Sequence, residues 1–278
     1  MALRFFLDIA SNCCKNQAGL KNSSPVSLKG DLQYRKRFSD KGTMQNNEPN
    51  IYGGQDPRDL PAYSVTEAAR YFRLAPATLR SWVVGRSYPR GGRVAFFEPL
   101  IRLPQSSSNL LSFRNLVEAH VLWALRTRHG VPIRAVRNAL NYAERTFAIK
   151  HLLLSPELQT NAENLFLSKY GELINLSRSG QLAMKKILEA YLKRIERDSL
   201  NVPLRLFPFL HSGYTDVPKV IVIDPFISFG RPVIRNRNIS TAAIADRIDA
   251  GESLDDVAHD YDLELWQAEE AVIYEKAA

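Results

Sequence analysis

Two short helical patterns separated by a break of three residues constrain this fold more than any other feature of the chain. Ser64 and Glu67 have the spacing of a capping box, in which each residue satisfies a free backbone N–H at the start of a helix. The break at residues 73–75 is followed by Pro76, a favoured first helical residue, and the second pattern ends at Gly85. The apolar positions that recur on one face of these helices are Val65, Ala68, Ala69, Phe72, Leu79, Trp82 and Val83. We predict a helix-turn-helix.

The residues that follow predict a wing and two longer helices. Gly91-Gly92 and the apolar residues 94–97 favour a β-hairpin whose chain returns through residues 101–103. Ser112 is expected to cap a helix that ends near Gly130, and Pro132 to open the next one. We therefore predict a winged helix-turn-helix domain over residues 59–148.

Charge is distributed unevenly along the chain. Residues 59–148 carry 13 basic side chains, all of them arginine, and five acidic ones, a net charge of +8 that equals that of the whole protein. Arginine presents a planar fork that suits phosphates and guanine edges, so this bias indicates nucleic acid. Residues 219–278 carry six basic and 12 acidic side chains, a net charge of −6. That segment is predicted to bind a protein partner.

The second helix of a helix-turn-helix enters the major groove of double-stranded DNA and presents its first turns to the bases. With the apolar face turned inward, Arg80 is the best candidate for a guanine or phosphate contact, and Thr78 and Ser81 suit phosphates or base edges. Four further arginines could bind flanking phosphates or a minor groove: Arg73, Arg86, Arg90 and Arg93. The alternative is an ordinary helical hairpin with a solvated arginine face. Trp82 is predicted to anchor the core and not to stack on a base.

Outside this domain the sequence predicts an α+β, mostly helical protein. Residues 1–58 lack periodic apolar patterning and are expected to be disordered, with Met44 as an alternative translation start. Residues 149–218 are predicted to be a small α+β linker region that docks the two ends together, with short strands at 165–167, 173–176 and 204–210 and a helix over 181–198. Residues 219–278 are predicted to end in three helices, over 241–250, 254–260 and 264–276.

No pattern typical of an enzyme, a metal site or a cofactor site is found. The five histidines are scattered, and Asp255, Asp256 and Asp260 lack the glycine turn and distal glutamate of a calcium-binding loop. The cysteines are an adjacent pair, Cys13 and Cys14, which predicts neither a metal site nor a disulfide. No apolar run reaches the roughly 18 residues of a membrane span. We expect a cytoplasmic, non-enzymatic protein.

Two stretches resemble known families. Residues 64–72 with Ala77-Thr-Leu-Arg-Ser-Trp82 resemble the MerR-like winged helix-turn-helix, in which the arginine after the Thr-Leu pair faces the DNA backbone. The resemblance assigns that role to Arg80. It also extends to the join Gly130-Val-Pro-Ile133 between the two later helices.

The C-terminal stretches Ile227–Arg235 and Ala250–Tyr261 are similar to the DUF433 family. Asn236 stands where that family usually has glycine, and asparagine can adopt the same left-handed conformation. Small proteins of this family are commonly encoded beside PIN-like ribonuclease toxins, so the combination resembles a VapB antitoxin of a VapBC-type pair. The resemblance implies a homodimer that binds a PIN-like toxin and represses its own operon. The acidic residues 219–278 are then expected to form either the toxin-facing or the dimer-forming surface. The alternative is a stand-alone MerR-like regulator that binds an effector in the middle region.

Overall fold

A computed structural model describes residues 52–105, 108–126, 133–148, 151–159, 166–167, 178–209 and 218–276. These residues lie in one compact unit, Pro49–Ala278. Helices dominate, and the described strands form three separate two-stranded antiparallel sheets. The predicted α+β, mostly helical class is confirmed at this level. None of the described helices combines the length and the apolar composition needed to cross a membrane.

The helix-turn-helix forms where the local signals predict it, as α1 (Val65–Tyr71) and α2 (Pro76–Val83). The Ser64 hydroxyl accepts a hydrogen bond from the Glu67 amide at 3.2 Å, which is one half of the capping box. After α2 the chain turns at Gly85, which has a φ of +84°. A Cβ there would lie 2.4 Å from the Phe97 carbonyl oxygen, so only glycine fits.

The wing consists of β1 (Arg86–Arg90) and β2 (Arg93–Phe97), paired from Arg90 opposite Arg93 to Arg86 opposite Phe97. Both residues of the connecting turn, Gly91 and Gly92, have positive φ, as a type I′ hairpin turn requires. The prediction that residues 101–103 form the returning strand of the hairpin is wrong. Because the turn has only two residues, Gly91 and Gly92, the partner of β2 is the segment directly before that turn, which is β1. Ile101 is instead fully buried, and its amide donates to the Trp82 carbonyl at 3.0 Å.

Two long helices follow the wing along the chain: α3 (Phe113–Arg126) and α4 (Ile133–Phe147). The described middle elements are two 3-10 turns, a helix and a hairpin: Leu152–Leu154, Pro156–Gln159, α5 (Arg178–Leu192), β3 (Ile195–Arg197) and β4 (Pro203–Leu206). The helix predicted over 181–198 ends earlier, since the chain enters β3 at Ile195. Of the predicted strand 165–167, Phe166 and Leu167 are helical, and the strand 173–176 lies outside the described residues.

Part of the segment predicted to be disordered is folded. The Arg58 guanidinium lies 2.6 Å from the Asp198 carboxylate and also pairs with Asp56, and the Tyr52 hydroxyl donates to the Pro225 carbonyl at 3.5 Å. The prediction of disorder is therefore wrong for residues 52–58, whose order depends on partners distant in sequence. Residues 1–51 lie outside the described part of the chain.

The C-terminal segment begins with a small hairpin and continues with three helices: β5 (Ile221–Val222), β6 (Val233–Ile234), α6 (Thr241–Asp249), α7 (Leu254–Asp260) and α8 (Leu265–Lys276). The predicted three helices are confirmed. Asn236 has a φ of 68°, so the predicted asparagine turn is confirmed as well. A single cluster of buried apolar residues includes Trp82 of α2, Leu188 of α5 and Ile244 of α6. The three regions therefore share one core.

Candidate nucleic-acid interface

The buried face of α2 determines which of its side chains reach solvent. Leu79 and Trp82 are completely buried, and Val83 is 3% exposed. The prediction that Trp82 anchors the core is confirmed, and the Arg126 guanidinium lies 6.0 Å from the centre of its ring. Arg80 is on the opposite face and is exposed.

The two hydroxyl residues predicted to contact DNA are less available than Arg80. Thr78 and Ser81 are both partly buried, and the Ser81 hydroxyl donates to the Thr78 carbonyl at 2.7 Å. That bond uses the Ser81 donor within α2 and leaves its oxygen as an acceptor. Of the three residues of α2 that were predicted to contact DNA, Arg80 is therefore the one whose side chain is fully available to a ligand.

The three predicted wing arginines, Arg86, Arg90 and Arg93, are all exposed. Within the part of the chain that the structure describes, neither they nor Arg80 forms an ion pair with a carboxylate. No described carboxylate therefore neutralises their positive charge, and phosphates are the complementary ligand.

Arg73 differs from the other predicted arginines. It occupies the turn between α1 and α2 with a φ of 53°, and its side chain is partly buried. Burial lowers its pKa, and the groups that oppose this effect are Tyr274 and Glu270, both on α8. The structure thus places Arg73 near the C-terminal helix, in a less exposed position than the other predicted arginines.

Two arginines that the sequence did not single out connect the wing to α4. The Arg134 guanidinium lies 5.0 Å from the centre of the Tyr88 ring and hydrogen-bonds the Tyr88 hydroxyl. The Arg137 guanidinium lies 4.7 Å from the centre of the Phe97 ring and donates to the carbonyls of Glu98 and Pro99. These cation–π contacts fix the inner face of the wing. Their only sequence signal is the three-residue spacing of two arginines on the polar face of a predicted helix.

The C-terminal helices contact α1 directly, and not only through the middle region. Glu275 of α8 pairs with Arg70 at 3.1 Å, and the Tyr274 hydroxyl donates to the Tyr71 carbonyl at 3.4 Å. These contacts join the last helix of the chain to the first helix of the helix-turn-helix.

The loop before β6 makes a second connection to the same region. The Arg231 guanidinium lies 3.0 Å from the Glu67 carboxylate, which also accepts a hydrogen bond from Tyr71 at 2.6 Å. Gly230, with a φ of +75°, packs so closely that a Cβ would lie 1.9 Å from the Tyr63 hydroxyl. Buried Tyr63 and Gly230 therefore form a tight junction between the two regions.

Among the described residues, no three histidine, cysteine or acidic side chains are grouped so that they could hold a metal ion.

Comparison with known families agrees with this architecture. Residues 61–140 match the family described as "Putative DNA-binding HTH domain" (HTH_66). Residues 221–274 match the family described as "Protein of unknown function (DUF433)". The chain thus belongs to the class of proteins that combine a helix-turn-helix with a C-terminal DUF433 domain.

Sequence similarity to individual proteins identifies the family within this class. The chain is 32% identical over 222 residues to "Putative antitoxin VapB45" of Mycobacterium tuberculosis, covering 73% of this chain and 89% of the relative. It is 28% identical over 227 residues to "Uncharacterized protein Rv2308" of the same organism, covering 78% and 91%. The crystal structure of Rv2018 from M. tuberculosis shares the fold, with a TM-score of 0.55 at 24% identity over 77% of this chain and 98% of that one. The protein belongs to the VapB45 family of VapB-like antitoxins.

Proposed function

We propose that this protein is the DNA-binding antitoxin of a VapBC-type pair. It represses its own operon by binding the operator, and it neutralises a PIN-like ribonuclease toxin in the cytoplasm without catalysing a reaction itself. The observation that carries the DNA-binding part is a set of exposed arginines on α2 and the wing that pair with no carboxylate among the described residues: Arg80, Arg86, Arg90 and Arg93. The relative named as an antitoxin supports the toxin-binding part.

DNA binding is tested with Arg80→Ala on a duplex taken from upstream of the gene. If Arg80 contacts a base, we expect a loss of roughly 1–3 kcal/mol, or about 5- to 150-fold in Kd, that disappears on an unrelated sequence. If Arg80 contacts only phosphate, the loss is similar on every sequence and the slope of log Kd against log salt falls by about one. Arg237→Ala is the matched control, because it removes an exposed arginine that pairs with Asp262 in the acidic domain. Equal binding by the Arg80 variant and the wild type would remove Arg80 from the interface.

The acidic C-terminal domain is the proposed toxin-binding surface. Residues 219–278 carry a net charge of −6, and a protein that binds RNA must present cations to its phosphates. Affinity capture with the full chain from the native host should co-purify a ribonuclease. Changing the exposed carboxylates Asp246, Asp255 and Glu264 to amides should weaken capture and reduce its salt dependence. Capture that yields no ribonuclease would contradict this assignment.

We also propose that the protein acts as a homodimer. A helix-turn-helix repressor reads two half-sites about one helical turn apart, and a two-fold symmetric dimer matches a palindromic operator. Light scattering of the purified chain should give twice its 31.5 kDa mass. A monomer that still binds its operator with full affinity would contradict the dimer.

A second candidate is a stand-alone regulator controlled by a small ligand, and one cavity favours it. A cleft of about 870 Å³ lies between the start of α3 and the middle region, and its lining includes Arg102, Asn115, Glu118 and His151. Glu118 is 5% exposed and accepts a hydrogen bond from Asn115 at 3.0 Å. Its other oxygen lies 3.5 Å from the His151 ring, and that hydrogen bond raises the pKa of His151. Mass spectrometry of the purified protein under native conditions would detect a retained ligand, and its removal should change operator affinity.

A further inference from the structure

Helices α7 and α8 repeat the local structure that α1 and α2 form near the start of the described chain. The first helix of each pair has seven residues, and a loop of four residues joins it to the second. The Ser253 hydroxyl accepts a hydrogen bond from the Asp256 amide at 3.1 Å, as the Ser64 hydroxyl does at the start of α1. Asp262 and Arg73 occupy the same position of the two loops and have φ angles of 51° and 53°. The C-terminal domain therefore contains a second helix-turn-helix, in which α8 corresponds to α2.

The two helix-turn-helix units carry opposite charge at corresponding positions. Counted from the capping serine, Arg80 of α2 corresponds to Glu269 of α8, and both lie on the side away from the core. Ala77, at the exposed start of α2, corresponds to Trp266. Among the described residues, Glu264 and Glu269 pair with no cationic side chain, just as Arg80 pairs with no carboxylate. Phosphates would be repelled by these carboxylates, so the second helix-turn-helix does not suit DNA.

The start of α8 is apolar as well as acidic. Leu265 is 42% exposed and Trp266 is 43% exposed. Glu269 follows both residues by about one helical turn, so its carboxylate borders their side chains. We call Glu264, Leu265, Trp266 and Glu269 the α8 face. Tryptophan is enriched among the residues that dominate protein interfaces, and charges around it select the partner, so the α8 face has the composition of a protein-binding surface.

The remainder of α8 is packed against the protein. Ala268 is completely buried, the Tyr274 hydroxyl donates to the Tyr71 carbonyl, and Glu275 pairs with Arg70. These contacts hold α8 in one orientation. The α8 face is thereby presented to a partner without the entropic cost of ordering a flexible segment.

We propose that the α8 face binds the RNA-binding surface of the toxin and blocks access of RNA to it. This inference rests on the proposed function and names the contact within the acidic domain. A protein that binds single-stranded RNA contacts the phosphates with lysine and arginine and stacks the bases on flat side chains. The α8 face offers the same two features, because Glu264 and Glu269 supply anions and Trp266 supplies an exposed aromatic ring. The toxin is thus neutralised by a surface that resembles its substrate in charge and shape.

The experiment measures Kd between the full chain and the ribonuclease that co-purifies with it, at several salt concentrations. Trp266→Ser should raise Kd roughly tenfold or more. Glu269→Gln should raise Kd most at low salt and make it less dependent on salt. Leu265→Ser should also weaken binding, whereas Leu200→Ser, at a leucine that is 70% exposed in the middle region, is the matched control and should bind like the wild type.

Two further measurements distinguish the α8 face from other kinds of surface. A single-stranded RNA oligonucleotide should displace the wild-type chain from the ribonuclease, and absence of competition overturns the shared site. Trp266→Ser should bind the operator duplex like the wild type. Loss of operator binding would place the α8 face on DNA, and loss of self-association in light scattering would place it between two copies of this chain. Either loss overturns the assignment.

The remaining outcomes separate this inference from the proposed function. Wild-type affinity of both Trp266→Ser and Glu269→Gln for the ribonuclease overturns the α8 face as the contact and leaves the proposed function intact. Failure of the wild-type chain to capture any ribonuclease overturns both. Thermal unfolding of Trp266→Ser at the wild-type temperature excludes misfolding as the cause of weaker binding. If that variant unfolds earlier, Glu269→Gln decides the result, because it preserves the size of a partly exposed side chain.

Discussion

The junction between Gly230 and Tyr63 gives a prediction whose size follows from the structure. Replacing Gly230 by alanine adds a methyl group to a residue with a φ of +75°, and the left-handed conformation costs an L-residue about 1–2 kcal/mol. The same methyl carbon would lie 1.9 Å from the Tyr63 hydroxyl and 3.0 Å from its Cζ atom. Tyr63 is 1% exposed and has little room to move, so overpacking adds about 1–3 kcal/mol. We expect Gly230→Ala to lower the free energy of unfolding by about 2–5 kcal/mol.

Thermal unfolding followed by circular dichroism measures this effect. For a unit of this size each kcal/mol corresponds to about 2–4 °C in Tm, so the melting temperature should fall by roughly 4–20 °C. Gly53→Ala is the matched control, because Gly53 has a φ of +59° and no atom within 4 Å of the added methyl. In that variant only the backbone strain lowers the free energy of unfolding.

A second substitution separates the steric contribution from the strain. Tyr63→Phe removes the oxygen that would clash with the added methyl, so combining it with Gly230→Ala should restore part of the lost stability. Equal destabilisation by Gly230→Ala and Gly53→Ala would refute the reasoning, since it would mean that Tyr63 does not confine this turn. Absence of any recovery in the double variant would refute it equally.

Two further predictions concern buried aromatic residues. His120 is fully buried, and burial lowers its pKa to about 4 from an ordinary value of 6.5. As pH falls, this histidine therefore binds a proton in the unfolded chain before it does so in the folded chain. The free energy of unfolding should decrease between about pH 6.5 and pH 4, by on the order of 3 kcal/mol in total. Urea titrations at several pH values should show this decrease, and His120→Phe should make the free energy of unfolding less dependent on pH. Trp82→Ala removes a completely buried side chain and should cost about 3–5 kcal/mol in the same urea assay, whereas Trp266→Ala, at a residue that is 43% exposed, should cost less than about 1 kcal/mol. Similar losses for both tryptophans would contradict the assigned core.

The parts of the fold that the sequence predicted are those specified by local chemistry. The cap at Ser64, the proline that opens α2 and the glycine that ends it define the helix-turn-helix within about 20 residues. The Gly91-Gly92 turn likewise predicted the wing. The second strand of the wing was wrongly predicted at residues 101–103, because the apolar residues near Ile101 resemble a strand. The two-residue turn instead pairs β2 with β1, the segment directly before the turn.

The parts that the sequence did not predict depend on distant partners. Arg73 was grouped with the other predicted arginines, but its side chain is partly buried and interacts electrostatically with Tyr274 and Glu270 of α8, about 200 residues later. Arg58 likewise is ordered by Asp198, 140 residues away. Arg134 and Arg137 gain their role only when α4 packs behind the wing. No local pattern contains this information, because these positions are set by tertiary packing.

The attachment of α8 to α1 has a consequence for how the chain can vary. Since Glu275, Tyr274 and Arg231 hold the C-terminal domain against α1, the angle between that domain and a bound duplex is set by side chains and not by the length of the intervening polypeptide. Insertions or deletions within residues 149–218 would therefore leave this angle unchanged as long as those contacts remain. In the proposed complex with an operator, any molecule carried by the C-terminal domain would project from the DNA in one fixed direction.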